Sequence, residues 1–159
     1  MDYWSSERLN HHTEATNMLY AARECARIAL KEGLDAVFYR HDLASRALRA
    51  GLEAMDLSLF GDVDIAMPNV TGVNIPMICG DGEAVRALML NDFGIEIGTS
   101  FGPLHGKIWR IGAMGYNCRK HNILTCLAAL EATLRQYNVS VSEGGGVDAA
   151  LAQYRSAGQ

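Results

Sequence analysis

Arg110 is the residue with the clearest chemical potential. It stands in Lys107-Ile108-Trp109-Arg110-Ile111-Gly112, a short apolar run with Gly106 before it and Gly112 at its end. Such a run reads as a strand, Ile108 to Ile111, entering a glycine-hinged turn. Successive strand side chains point to opposite faces, so Trp109 and Ile111 share one face and Arg110 shares the other with Ile108. A guanidinium set among apolar residues calls for an anionic partner, and its planar fork suits a carboxylate or a phosphate. The residues alone leave two readings open: an arginine at a sheet edge paired with a structural Asp or Glu, or one that grips an anionic ligand.

Other stretches carry weaker signals. Gly98-Thr99-Ser100-Phe101-Gly102 matches Gly-x-Ser-x-Gly, the nucleophile elbow of hydrolases. An elbow needs a strand before it and a helix after it. Pro103 and Gly106 follow instead, and His105 is too close in sequence to be the usual partner of Ser100. His11-His12-Thr13-Glu14 invites a metal reading, but no second His, Asp or Glu cluster has helical ligand spacing, so no metal is expected. Gly80-Asp81-Gly82-Glu83 lacks the third glycine of a dinucleotide fingerprint and reads as a helix cap. Gly144-Gly145-Gly146 reads as a flexible linker. Cys25, Cys79, Cys118 and Cys126 form no Cys-x-x-Cys pair, which fits reduced thiols in a cytoplasmic protein.

Two stretches together carry a family resemblance. Gly102-Pro103-Leu104-His105-Gly106-Lys107, followed by Trp109-Arg110-Ile111-Gly112 and Met114-Gly115, resembles the C-terminal domain of class V, fold-type I aminotransferases. Asn10-His11-His12-Thr13 matches a second stretch of that family upstream. These are pyridoxal-phosphate enzymes of the alanine–, serine– and ureidoglycine–glyoxylate type. The resemblance implies that Arg110 binds the α-carboxylate of a small amino- or oxo-acid substrate, and that the 98–102 glycines form a tight loop beside it. It implies that Thr13 helps to hold the cofactor phosphate and that Asn10 faces the substrate in the neighbouring subunit of a homodimer. Alanine-using members place a tyrosine at the position of Asn10, whereas ureidoglycine-using members carry asparagine. The implied donor is therefore (S)-ureidoglycine, in purine breakdown. A carboxylate-sensing module without catalysis, or a structural dimerisation domain, is the competing class of reading.

The lysines here are Lys31, Lys107 and Lys120. None has the strand-end setting of the family's cofactor-bearing lysine, so the resemblance implies a C-terminal piece that does not catalyse alone. Residues 1–12, with Tyr3, Trp4 and Leu9, read as a segment cut from the large domain or dimer interface, ordered only against a partner. Residues 13–159 read as the small domain.

The composition agrees with one globular domain: 159 residues, 49% apolar and 20% charged. A formal net charge of −4 argues against a nucleic-acid binder. No apolar run approaches the ~20 residues of a membrane helix.

The elements that must position these residues follow from periodicity. Thr13 is a plausible N-cap of a helix with Ala15, Met18, Leu19, Ala22, Cys25, Ala26, Ala29 and Leu30 at helical spacing, stopped by Gly33. Asp35 can cap a second helix, 36–55, with Val37, His41, Ala44, Leu48, Leu52 and Met55 on its apolar face and His41 partly exposed or satisfied locally. Gly51 weakens its last turn. Strands are expected at Leu57 to Phe60, Val70 to Ile75 and Ile95 to Ile97, the last pairing with Ile108 to Ile111. Asp81 caps a helix reaching about residue 92. A further helix starts at Asn117 or Arg119, with Ile123, Leu127, Leu130 and Leu134 as its buried stripe. After a 139–146 linker, Val147, Ala150, Leu151 and Tyr154 mark a last short helix. The fold class expected is α+β, a small, largely antiparallel sheet covered by helices.

Overall fold

A computed structural model of the chain describes residues 13–158. The chain divides into two compact units, the first ending at Val37 and the second beginning at Phe38.

In the first unit, α1 spans Thr16–Glu32. Its start lies three residues beyond the expected cap. The Thr16 amide and hydroxyl both turn to the Glu14 carbonyl, at 2.8 and 3.3 Å, so Ala15 rather than Thr13 occupies the cap position. Gly33 ends the helix at a positive φ of 90°, its amide donating to the Ala29 carbonyl. α1 buries none of its residues, and Met18, Leu19, Tyr20, Ile28 and Leu30 are exposed. α2, Leu34–Ala54, begins in this unit, with Asp35 inside the first turn rather than at the cap. An acid there still complements the helix dipole.

The second unit holds the rest of α2, then β1 (Leu59–Phe60), β2 (Val70–Asn74), α3 (Glu83–Phe93), β3 (Ile108–Gly112), α4 (Lys120–Gln136) and α5 (Gly145–Ser156). The strands form one antiparallel sheet in the order β1-β2-β3. Its register pairs Leu59 with Val73 and Val73 with Trp109, and sets Thr71 opposite Ile111. Thr71, Val73, Trp109 and Ile111 are buried; the row Phe60–Gly72–Arg110 lies on the other face. Leu43, Leu48 and Leu52 of α2 and Leu127, Leu130 and Leu134 of α4 complete the core. Each such leucine, fully buried, contributes about 1.5–3 kcal/mol. The α+β class and the small antiparallel sheet match the sequence expectation.

Three expected elements come out differently. Leu57 closes the turn that follows α2, its amide donating to the Leu52 carbonyl at 3.1 Å, so β1 starts two residues later. The 95–97 segment does not become a strand. The Ile95 amide returns to the Met89 carbonyl (3.1 Å), and the Ile97 carbonyl accepts from Arg86 Nε (2.7 Å), which leaves only Gly98 to pair with β3. The glycines 144–146 are not a linker. Gly144 caps α5 at φ 70°, and its amide donates to Glu131 Oε1 at 2.8 Å. Gly145 and Gly146 are the first residues of α5.

Gly51 has a packing reason. A Cβ there would lie 2.5 Å from Leu127 Cδ1 and 2.7 Å from the Gly146 carbonyl oxygen. The missing side chain lets α2 meet α4 and α5 closely, and the last turn of α2 forms in full.

Candidate functional site

β3 carries Arg110 outward because the strand's alternation is anchored on the other side. Trp109 is fully buried, and its Nε1 donates to the Gly82 carbonyl at 3.2 Å. With Trp109 and Ile111 held in the core, Arg110 must emerge on the open face, as the spacing requires.

On that face three features fix the guanidinium. The backbones of Arg110 and Gly98 exchange both hydrogen bonds, each 2.8 Å. Arg110 Nε donates to the Thr99 carbonyl at 2.7 Å. The Phe101 ring covers one face of the guanidinium, with its centroid 5.1 Å from Cζ. Among the described residues no carboxylate pairs with Arg110, so the reading of a structural ion pair lacks its acid. With Nε engaged, the end of the fork, Nη1 and Nη2, remains to present two parallel N–H donors. That edge matches a carboxylate bidentately.

The five residues 98–102 therefore make a tight loop beside Arg110 and not a nucleophile elbow. A bridge precedes Ser100, a short 3-10 turn (Gly102–Leu104) follows it, and its side chain is buried. His105 Nδ1 faces the Ser100 carbonyl at 3.2 Å rather than the serine hydroxyl; a carbonyl only accepts, so this nitrogen carries the proton. Sequence reasoning missed the roles of the Thr99 carbonyl and Phe101. Their only signal was a position inside the motif next to the strand.

Of the other sequence-derived residues, Thr13 is exposed in the first unit, ahead of α1. Asn10, the two histidines beside it, and Tyr3, Trp4 and Leu9 lie outside the described residues. His41 is half-buried, and its Nε2 accepts a long-range hydrogen bond from the Gly115 amide at 3.1 Å, 74 residues away. Arg40 Nη1 donates to the Gly115 and Cys118 carbonyls at 2.8 and 2.9 Å. All four cysteines are free thiols. Among the described residues no group of His, Cys, Asp and Glu is placed to hold a metal ion, and no helix is long and apolar enough to cross a membrane.

Against known proteins, the chain is 57% identical over 158 residues to the (S)-ureidoglycine–glyoxylate transaminase of Bacillus subtilis (strain 168), covering 99% of this chain and 38% of that protein. The crystal structure of the ureidoglycine–glyoxylate aminotransferase from Bacillus subtilis superposes with a TM-score of 0.90 over 97% of this chain and 40% of its own, again at 57% identity. The chain belongs to the class V aminotransferases, as their C-terminal part. An alanine–glyoxylate aminotransferase structure from Nostoc sp. matches at 42% identity and a TM-score of 0.77, over 84% of this chain and 35% of that one. The chain thus spans between 35% and 40% of the length of these aminotransferases. No protein-family model matches it.

Proposed function

We propose that this chain is the small domain of a pyridoxal-phosphate enzyme that transfers an amino group to glyoxylate, with (S)-ureidoglycine as the donor, in purine breakdown. The observation that carries the reading is Arg110: exposed, held at Nε by the Thr99 carbonyl, and without an acid partner among the described residues. The 57% identity to a ureidoglycine transaminase supports the choice of donor. Nη1 and Nη2 grip the substrate α-carboxylate end-on. The fixed Nε bond sets the direction of approach, so the α-carbon is held in one pose.

Thr13 and the start of α1 fit a phosphate. The Ala15 cap position makes no side-chain hydrogen bond, and the first turn holds no acid to repel an anion. When bound, pyridoxal phosphate supplies an electron sink for the substrate's α-carbon. Lys31, Lys107 and Lys120 sit in the last turn of α1, in the turn ahead of β3 and in the first turn of α4. We assign the lysine that holds the cofactor to the part of the enzyme this chain does not span. The enzyme works as a homodimer in the cytoplasm. Asn10 reaches the partner's site, where its amide offers a donor and an acceptor to the ureido group. The second reading, alanine as donor, draws on the 42% identity to the Nostoc enzyme.

The test uses the whole enzyme with both donors. Arg110→Lys keeps the charge but loses the fork, and a charge-assisted hydrogen bond is worth about 1.5–3 kcal/mol, so kcat/KM should fall roughly 10- to 150-fold. Asn10→Tyr should lower activity with (S)-ureidoglycine while activity with alanine holds or rises. An Arg110→Lys enzyme within twofold of the parent would return Arg110 to a structural role. Equal losses with both donors in Asn10→Tyr would remove Asn10 as the discriminator.

A further inference from the structure

Arg110 is aimed by the 98–102 loop, and that loop is itself tethered to α3. Arg86 of α3 donates from Nε to the Ile97 carbonyl at 2.7 Å. The Ile97 carbonyl and the Gly98 amide belong to one planar peptide unit. The Gly98 amide donates to the Arg110 carbonyl at 2.8 Å. One rigid plane therefore has Arg86 on its oxygen and Arg110 on its hydrogen. From that plane the chain runs on to the Gly98 carbonyl, which accepts the Arg110 amide, and to the Thr99 carbonyl, which accepts Arg110 Nε. The peptide that Arg86 holds is thus the one from which the aim of Arg110 is set.

The strand that carries Arg110 is referred to the same helix. The Gly82 carbonyl accepts both Trp109 Nε1 and the Arg86 amide, each at 3.2 Å. A Cβ on Gly82 would lie 2.4 Å from Trp109 Nε1, so the start of α3 sits directly on the indole. α3 therefore meets β3 at the residue before Arg110 and meets the loop at the residue before Gly98. The rest of the Arg86 guanidinium is engaged too. Nη1 pairs with Glu83 Oε2, one turn back on α3, and Nη2 faces Glu96 Oε1 at 3.9 Å. The side chain is only 20% exposed. The Glu83 pair serves α3 alone. The Nε bond reaches out of the helix to a buried residue of the loop segment, and that bond needs a planar fork, because one cation must satisfy Glu83 and Ile97 together.

We propose that Arg86 is a positioning residue for substrate binding, a role that rests on the reading of Arg110 as the carboxylate-binding residue. Arg86 touches no substrate. It holds the 97–98 peptide in place, and through Gly98 and Thr99 it directs the Arg110 guanidinium at the substrate carboxylate.

The experiment is a double-mutant cycle in the whole enzyme with glyoxylate as the varied substrate, so that the outcome does not depend on the donor. Arg86→Lys keeps a cation beside Glu83 but loses the fork. It should lower kcat/KM for glyoxylate roughly 3- to 10-fold, chiefly by raising KM, the scale of coupling within one hydrogen-bond network. In an Arg110→Lys background no fork remains to be aimed, and Arg86→Lys should then cost less than about twofold. A merely structural Arg86 would give the same factor in both backgrounds, since lost stability scales activity alike whatever stands at position 110. Should Arg86→Lys not fold, the double variant Glu83→Gln with Arg86→Met, which leaves neither partner of the pair charged, takes its place in the same cycle. An Arg110→Lys enzyme as active as the parent refutes the carboxylate reading and the role of Arg86 with it. An impaired Arg110→Lys enzyme with equal Arg86 factors in both backgrounds overturns the role of Arg86 alone.

Discussion

Replacing Gly51 with alanine sets two effects of opposite sign against each other. Inside a helix, alanine is favoured over glycine by about 1 kcal/mol. Propensity alone therefore makes the variant more stable. The packing says otherwise. The new methyl would sit 2.5 and 2.9 Å from the two Leu127 methyls and 2.7 Å from the Gly146 carbonyl oxygen. Leu127 is fully buried and has no solvent to swing into, and the Gly146 oxygen is main chain in the first turn of α5. Overpacking of this kind costs about 1–3 kcal/mol, occasionally more. With three contacts under 3 Å the cost falls in the upper part of that range, about 2–3 kcal/mol, so the net expectation is a loss of about 1–2 kcal/mol, which in a chain of this size lowers Tm by roughly 2–8 °C. Thermal melts followed by circular dichroism, with urea titrations to check that the m-value is unchanged, give the number. A companion pair sharpens it: in a Leu127→Ala background, Gly51→Ala should cost less than in the parent, because the two sites couple. A Gly51→Ala chain as stable as the parent or more so would refute the claim that α2, α4 and α5 meet this closely.

Glu131→Ala removes the acceptor of the Gly144 amide at the start of α5 and should cost about 1–3 kcal/mol in urea unfolding, with Glu131→Gln losing less because an oxygen remains. Phe101→Leu in the whole enzyme takes the ring off Arg110; at about 0.5–1 kcal/mol for an exposed cation–π contact, KM for the oxo acid should rise roughly 2- to 5-fold with Tm unchanged. Burial pushes the Cys126 thiol from its ordinary 9.0 up to about 11, so alkylation followed by mass spectrometry should label the exposed Cys25 first and Cys126 only as pH approaches 11. Since the folded pKa lies above the unfolded one, the stability tied to Cys126 is whole below pH 9 and drains away as pH rises through 11.

What the sequence made legible was whatever repeats along one element. The stripe Ile123, Leu127, Leu130 and Leu134 is buried along α4 as its spacing demands. The alternation of Trp109, Arg110 and Ile111 assigns each its face from spacing alone. Bonds between distant residues were not legible. The 95–97 segment has strand composition, yet Arg86 takes the Ile97 carbonyl first. Three consecutive glycines look like slack chain until Glu131 is found capping the first of them. Gly51 looks like a weakness in α2 until Leu127 and Gly146 are set beside it. In the site, the type and face of Arg110 were readable. Its Nε partner was not, because a main-chain carbonyl such as that of Thr99 leaves no trace in residue identity. Thr13 was misread as a cap because the competing Glu14 carbonyl is equally invisible.

The division of labour in β3 bears on how such a domain can change. Trp109 locks the strand to Gly82 from beneath, while the aim of the guanidinium above is set by the loop of Thr99 and Phe101. A slip of one residue would drive a charge into the core and expel an indole, so the register is protected by the full cost of folding. The loop answers to no such penalty: Phe101 is 73% exposed. Substitutions there can redirect the arginine by a fraction of an ångström while the sheet beneath keeps its place. If Arg110 binds the substrate as proposed, selectivity is free to drift on a foundation that selection for stability alone would conserve.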